Sequence, residues 1–165
     1  MDNAPTPFVA PAETRIGHVH LKVADIPRAL AFWRDVLGFE VMIQGPSVAF
    51  LSAGGYHHHI ALNTWESLGA SPPPEGHTGL YHVAVLYPDR ASLAVMLKRV
   101  LDAGIELEGA SDHGVSEALY LRDPDGNGVE LYRDRPREEW PVDGQGRMTM
   151  FTRRLDVRAL LAEAS

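Results

Sequence analysis

The sequence predicts an α+β protein built from two tandem β-α-β-β-β modules, whose strands form a curved mixed sheet around a cleft. Two segments, residues 16–23 and 80–87, have the apolar pattern of β-strands, and a helical pattern follows each of them. Asp25 and Asp89 stand at the same place between strand and helix, 64 positions apart. His18 and His82 repeat with the same spacing. A repeat of this length indicates that one supersecondary unit occurs twice.

Module one is predicted to span residues 15–63. Its first strand is residues 16–23, and Asp25 is a candidate N-cap for the helix that follows, with Pro27 in the first turn. Gly38 is well placed to end that helix. Three further strands are predicted at residues 39–43, 48–51 and 57–62.

Module two is predicted to span residues 79–133 and to repeat this order. Its elements are a strand at 80–87, a helix at about 89–103, and strands at about 105–110, 117–122 and 128–133. Outside the modules, residues 1–14 are predicted to form a flexible tail, residues 64–78 a proline-containing linker, and residues 134–165 a C-terminal extension. The extension could wrap the domain or reach a second subunit.

Composition excludes several classes of function. The chain has 165 residues, no cysteine and a formal net charge of −7, so thiolate metal sites and disulfides are excluded. It has no cluster of Lys and Arg on which nucleic acid would bind, and no apolar run of the roughly 20 residues that span a membrane. The first twelve residues lack the basic and apolar regions of a signal peptide. We therefore expect a soluble, cytoplasmic protein that binds neither nucleic acid nor membranes.

The repeat places two potential metal ligands, His18 and His82, on equivalent strands near the middle of the sheet. Glu130 lies between apolar neighbours in the last strand of module two, where a carboxylate should face either solvent or a cation. Two imidazoles and one carboxylate suit an Fe(II) ion that keeps positions open for substrate and O₂. The alternative is that both histidines are exposed structural residues and that Glu130 is solvated.

Further candidates follow from polar residues near these positions. Three histidines, residues 57–59, enter a strand, and alternation sends His59 to the face opposite His58. An imidazole in the cleft could take and return protons at neutral pH, although a polar edge strand is the alternative. Tyr120 lies on the strand before Glu130, and His113 precedes it. Both could hydrogen-bond an ionised substrate, or they could be a core aromatic and a loop residue.

Four segments carry a resemblance to a known family. They read Ile-Gly-His-Val-His-Leu-Lys-Val at 16–23, Gly-Tyr-His-His-His-Ile-Ala-Leu-Asn at 55–63, Tyr-His-Val-Ala at 81–84, and Leu-Tyr-Leu-Arg-Asp-Pro-Asp-Gly-Asn-Gly-Val-Glu-Leu-Tyr at 119–132. In these segments the chain resembles the vicinal oxygen chelate superfamily, and within it the type I extradiol dioxygenases of the catechol 2,3-dioxygenase kind. The resemblance covers about residues 15–140.

The resemblance implies a role for each matching residue. The three residues that match the family's metal ligands, normally for Fe(II), are His18, His82 and Glu130. His59 matches the pocket histidine that acts as acid and base, and Tyr120 matches the tyrosine that contacts the catecholate. His113 matches a second pocket histidine. The implied substrates are an aromatic diol and O₂.

Other functions of the superfamily remain open at this point. One is an O₂-independent isomerase or lyase of the glyoxalase type that uses Zn(II), Ni(II) or Mn(II), and another is a protein that only binds a small molecule. Glyoxalase-like sites usually carry a second glutamate in module one, but the repeat partner of Glu130 is about Ala61. We expect a homodimer. Because the chain has a single pair of modules, missing walls of the site could be supplied by the second subunit or by the 134–165 extension. The facing of possible wall residues, such as Trp33, Phe50, Trp65 and Tyr81, does not follow from the sequence.

Overall fold

The computed structural model describes residues 7–164. Module one contains β1 (Val19–Lys22), α1 (Ile26–Leu30, which continues as a π-helical segment over Ala31–Val36), β2 (Glu40–Gly45), β3 (Val48–Ser52) and β4 (Ile60–Asn63). Module two contains β5 (Val83–Tyr87), α2 (Arg90–Asp102), β6 (Gly109–Asp112), β7 (Ser116–Arg122) and β8 (Gly128–Asp134). A 3₁₀ turn (Arg137–Glu139), β9 (Arg153–Arg154) and α3 (Val157–Leu161) follow.

The strands form two mixed sheets, which confirms the α+β class. Module one has the order β1-β4-β3-β2, and module two has the order β5-β8-β7-β6 with β9 added at its edge. In each module the first and last strands are parallel and the remaining pairs are antiparallel. The structure differs from the predicted single curved sheet in one respect, because no hydrogen-bonded ladder joins β1 to β5 among the described residues.

One hydrophobic core connects the two modules through their helices. Leu30 and Trp33 on the helix of module one, and Leu93 and Leu97 on α2, are almost fully buried in this core. The predicted N-caps are confirmed, since Asp25 accepts a hydrogen bond from Arg28 N, and Asp89 accepts one from Ser92 N. Burial of one face of each helix is what fixes the helices against the sheets.

Four predicted strands differ from the observed ones. The fourth strand begins at Ile60 rather than at residue 57, because Gly54 and Gly55, at φ +66° and +76°, turn the chain just before the histidines. The strand predicted at 105–110 is observed at Gly109–Asp112, where it pairs with β7. The first strand of each module begins later than predicted, so His18 and His82 directly precede β1 and β5.

The C-terminal extension packs on module two. β9 pairs with β6, and α3 buries Leu160 in the core beside α2. Of the predicted N-terminal tail, residues 7–14 are exposed and residues 1–6 lie outside the described residues. The flexibility of this tail and the predicted domain boundaries stay predictions. No helix in residues 7–164 is long and apolar enough to cross a membrane.

Candidate active site

Strand register brings His82 and Glu130 together. β5 and β8 are parallel, with Ala84 opposite Glu130, so His82 lies beside the carboxylate. Nε2 of His82 is 2.9 Å from Oε2 of Glu130. Gly128 permits this approach, because a Cβ at that position would overlap the carbonyl oxygen of Tyr81 and lie 3.1 Å from the Cβ of His82.

The His82–Glu130 pair fits a divalent cation. Two ligand atoms at right angles, each about 2.1 Å from one ion, would be about 3 Å apart, close to the observed spacing. Nδ1 of His82 is buried and has no hydrogen-bond partner within residues 7–164. A buried ring nitrogen without such a partner is unusual in a folded protein. Nitrogen and carboxylate donors suit Fe(II), Mn(II), Ni(II) and Zn(II). His82 and Glu130 could therefore hold such an ion.

A line of hydrogen bonds continues from Glu130 through Tyr120 to His113. The Tyr120 hydroxyl is 3.3 Å from Oε1 of Glu130 and 2.7 Å from Nε2 of His113. Nδ1 of His113 is 3.1 Å from the carbonyl oxygen of Phe151. A carbonyl can only accept, so Nδ1 carries a proton and, in the neutral ring, Nε2 accepts from Tyr120. Protonation of Nε2 would turn the Tyr120 proton towards Glu130.

Tyr120 keeps its proton at neutral pH. Burial and the neighbouring Glu130 carboxylate raise the pKa of its phenol to about 12, because both disfavour a phenolate. The hydroxyl is therefore available as a hydrogen-bond donor across the working range of most enzymes.

The C-terminal extension holds His113 in place. Besides the Phe151 carbonyl, Oγ1 of Thr152 lies 3.3 Å from Nδ1 of His113. Gly114, at φ +78°, lets the Phe151 ring and Pro141 pack against the backbone, where a Cβ would collide with both. Sequence reasoning missed this support, because a backbone carbonyl has no sequence signature and the extension lies outside the repeat.

The candidate residues of module one form a separate group. The rings of His18 and His58 are 4.3 Å apart, and Nδ1 of His57 is 2.7 Å from Nδ1 of His58. Desolvation, His18 and other neighbouring imidazoles lower the pKa of His58, because a further positive charge is unfavourable here. Phe50 contacts the ring of His58 at 5.0 Å. This set, His18, His57, His58 and His59, is called the histidine face below.

His59 is oriented by the turn before β4. Its Nδ1 lies 3.4 Å from the Ala53 amide, which donates to it, and 3.2 Å from Oγ of Ser52. In the neutral ring, the accepting role of Nδ1 leaves the proton on Nε2. The Tyr56 ring packs on His59 at 4.7 Å. His59 and His18 line a cavity of about 490 Å³ together with β5.

The six predicted site residues therefore occupy two places. One network joins His82, Glu130, Tyr120 and His113, whereas His18 and His59 line the cavity of about 490 Å³. Within residues 7–164, no three His, Cys, Asp or Glu side chains are grouped so that they could share one metal ion. That His18, His82 and Glu130 hold a metal stays a prediction.

The four residues that could form walls of the site lie in different surroundings. Trp33 is fully buried in the core and cannot line a cleft. Phe50 and Trp65 flank the His20 ring at 6.2 and 5.3 Å, and Tyr81 is 83% exposed beside His82.

Comparison with known proteins shows the family. Residues 15–131 match the model of the Glyoxalase/Bleomycin resistance protein/Dioxygenase superfamily. The chain is 44% identical to a catechol-2,3-dioxygenase of Bacillus subtilis over 92% of its own length and 53% of that protein. It is 35% identical to biphenyl-2,3-diol 1,2-dioxygenase 3 of Rhodococcus globerulus, over 73% of this chain and 63% of the relative.

The chain thus spans only about half to two thirds of the length of these curated relatives. A crystal structure of a glyoxalase/dioxygenase from Nostoc punctiforme superposes with a TM-score of 0.63 at 19% identity, covering 81% of this chain and 100% of that chain. This likeness concerns the fold alone. The chain belongs to the Glyoxalase/Bleomycin resistance protein/Dioxygenase superfamily.

Proposed function

We propose that this superfamily member is a cytoplasmic, mononuclear Fe(II) extradiol dioxygenase that opens the ring of a catechol-type substrate with O₂ in the breakdown of aromatic compounds. The observation that carries the proposal is the His82–Glu130 pair, linked by hydrogen bonds through Tyr120 to His113. The 44% identity to a catechol-2,3-dioxygenase supports it, since that relative matches nearly the whole of this chain.

His82, Glu130 and His18 would hold the metal. When bound, Fe(II) would supply a centre at which the adjacent oxygens of a diol and O₂ can be held together. Glu130 and His82 already stand at ligand spacing, so little rearrangement of module two is needed.

Tyr120 would bind an ionised substrate oxygen. Its raised pKa keeps the phenol protonated, so it can donate to an anionic diol oxygen placed beside Glu130. His113 would set the direction of that donation. Its Nε2 lies 2.7 Å from the Tyr120 hydroxyl, so it fixes where the phenol stands beside Glu130.

His59 would act as acid and base. Its Nδ1 accepts from the Ala53 amide, so in the neutral ring Nε2 carries the proton that can be donated to a reacting oxygen. The cavity that it shares with His18 has the size of a small-ligand pocket, and its lining includes apolar residues such as Ile60 and Val83. Such walls suit a flat aromatic ring.

The test is reconstitution with Fe(II) under argon, followed by catechol and then air. The proposal predicts a yellow ring-opened product, seen as new absorbance in the near-visible, that forms only when both iron and O₂ are present. Protein loaded with Zn(II) is the matched control and should stay colourless. Iron-loaded protein that gives no product with catechols and O₂ would overturn the proposal, and turnover that needs no O₂ would indicate an isomerase or lyase instead.

A further inference from the structure

The segment that carries His113 is a tight turn between β6 and β7. Asp112 ends β6 and Ser116 begins β7, and the amide of His113 donates to the carbonyl oxygen of Ser116 at 2.9 Å. Oδ1 of Asp112 accepts from the amide of Gly114 at 2.8 Å, as is common for Asp in turns. These two bonds fix the turn internally. The position of the imidazole therefore depends on what holds the turn against the rest of the sheet.

Arg135 ties this turn to the neighbouring strand. It is the first residue after β8, and its amide donates to the carbonyl oxygen of Val115 at 2.8 Å. Nη2 of Arg135 lies 2.9 Å from Oδ2 of Asp112 and 3.2 Å from Oε1 of Glu117. The guanidinium thus bridges a carboxylate on each of the two strands that the His113 turn connects. Because a guanidinium is planar and its donors have fixed directions, such a bridge holds both carboxylates in one geometry.

The bridge is anchored on a buried carboxylate. Glu117 is only 4% exposed, and its Oε2 accepts from Nε of Arg90 and from Nε of Arg133, each at 2.9 Å. Of the three arginines around Glu117, only Arg135 also bonds to Asp112 within residues 7–164. Charge-assisted hydrogen bonds are stronger than neutral ones, and buried pairs are little screened by salt. This anchor therefore resists displacement of Arg135.

Asp112 passes this hold on to the imidazole. Both of its carboxylate oxygens are used, Oδ1 inside the turn and Oδ2 on Arg135. The turn held in this way places Nε2 of His113 2.7 Å from the Tyr120 hydroxyl and Nδ1 3.1 Å from the Phe151 carbonyl oxygen. These bonds lie on two sides of one rigid ring, so a tilt of the turn would disturb both of them at once.

We propose that Arg135 is a positioning residue, which acts through Asp112 to hold His113 at hydrogen-bond distance from Tyr120. This inference rests on the proposed function, in which Tyr120 binds an ionised substrate oxygen beside Glu130. Arg135 directly follows β8, the strand of Glu130, so the segment that leaves this strand also fixes the pocket histidine. Arg135 itself contacts no reacting group in this account. Its loss should disturb His113 and slow turnover without removing the metal.

Arg135→Gln tests this role, and Arg90→Gln is its matched control. Both variants remove one arginine from the same buried carboxylate, and the two side chains are similarly exposed, at 23% and 26%. Imidazole ¹⁵N NMR of protein loaded with diamagnetic Zn(II) reports on His113 without any need for activity. In the wild type Nδ1 carries the proton, because it bonds to a carbonyl oxygen. We expect Arg135→Gln to show two exchanging tautomers, and Arg90→Gln to keep the single one.

Turnover of iron-loaded protein is the second readout. We expect Arg135→Gln to keep the wild-type iron content but to lose roughly 10- to 100-fold in kcat, because a displaced group in the pocket no longer meets the substrate in the reactive geometry. Arg90→Gln should keep the wild-type kcat.

Asp112→Asn keeps the test informative if Arg135→Gln fails to fold. The asparagine oxygen can still accept from the Gly114 amide, whereas its NH₂ group cannot accept from Arg135. We expect the same change of the His113 tautomer and the same loss of kcat, again with unchanged iron content.

The outcomes separate the two proposals. A single Nδ1–H tautomer of His113 in both Arg135→Gln and Asp112→Asn would overturn the positioning role and leave the dioxygenase proposal standing. Equal disturbance of His113 in Arg90→Gln would also overturn it, because the effect would then come from the ion network as a whole. Wild-type protein that binds iron but opens no catechol ring would overturn the proposed function, while the tautomer of His113 would still decide whether Arg135 positions it.

Discussion

In module two the candidate residues touch one another, whereas in module one they are grouped with other histidines and contact no carboxylate among residues 7–164. His82, Glu130, Tyr120 and His113 form one continuous line of close contacts anchored by a backbone carbonyl. His18 instead packs on His58, and His59 rests on a turn. The same β-α-β-β-β unit therefore places a His–Glu pair in one module and a group of histidines in the other.

One register position accounts for much of this difference. In module two Ala84 lies opposite Glu130, and in module one the equivalent residue His20 lies opposite Ala61. The sequence prediction that Ala61 is the repeat partner of Glu130 is thus confirmed. Because Ala61 is fully buried and has no carboxylate, module one has no counterpart of the His82–Glu130 pair at this position.

Removing the carboxylate of module two should have the largest effect. Glu130→Gln keeps the shape of the side chain but removes the charge, so we expect Fe(II) affinity to fall by more than about 100-fold. Isothermal titration under argon measures this affinity. Glu66→Gln, in an exposed pair with Lys22, is the control and should bind iron normally. Unchanged affinity in Glu130→Gln would remove this residue from the ligand set.

Removing the proton carrier of module one should leave the metal in place. For His59→Ala we expect full iron occupancy and a fall in kcat of roughly 100-fold or more, because His59 would act on protons and not on the metal. Metal analysis and steady-state rates with catechol separate the two effects. His77→Ala changes an exposed linker histidine and serves as the control. Normal turnover in His59→Ala would contradict a catalytic role for module one.

The phenol of module two should matter for turnover and not for metal binding. Tyr120→Phe keeps the ring but removes the donor, so we expect unchanged iron content and a fall in kcat of roughly 10- to 100-fold. Since the pKa of Tyr120 is raised to about 12, its ionisation should cause no loss of activity between pH 7 and pH 10. Tyr132→Phe on the same sheet is the control. A wild-type rate for Tyr120→Phe would show that the hydroxyl is not used.

The close approach of β8 to His82 should be sensitive to a single methyl group. Gly128→Ala would push the Tyr81 carbonyl and His82 away from the sheet, so we expect iron affinity to fall by roughly 10-fold. Gly144→Ala is the matched control, because no heavy atom lies within 4 Å of its added Cβ. Equal iron affinities for the two variants would mean that iron binding does not depend on the close packing of Gly128 against Tyr81 and His82.

The smallest effect is expected at His20, which lies on β1 two residues after His18. His20 bonds to the Asn63 side chain at 2.9 Å and belongs to neither part of the candidate site. For His20→Ala we expect rates within about 3-fold of wild type and a loss of about 1 kcal/mol in the free energy of unfolding. A large loss of iron in this variant would move the ligand role from His18 to His20.

Much of the fold follows from local sequence signals. The helix caps at Asp25 and Asp89 depend on short-range hydrogen bonding, and the structure confirms them. The predicted fourth strand is too long at its start. Residues 57–59 continue the strand-like pattern of the sequence, although Gly54 and Gly55 turn the chain just before them.

The candidate site follows from the sequence only in part. The nearness of His82 and Glu130 comes from register within one module, which the repeat makes visible. The separation of His18 comes from contacts between modules, such as the bond of Ala24 to Asp125, which span 101 residues and have no local signature. The support of His113 by the Phe151 carbonyl is likewise a backbone contact that no side-chain pattern predicts.

The most direct test of the proposed function is the stoichiometry of oxygen consumption by iron-loaded protein. An oxygen electrode and quantitative chromatography of catechol and product would be read on the same reaction. We predict that one O₂ is consumed per catechol, that no peroxide is released, and that the product exceeds catechol by the mass of two oxygen atoms. Release of peroxide with quinone formation, or consumption of substrate without O₂, would contradict extradiol cleavage.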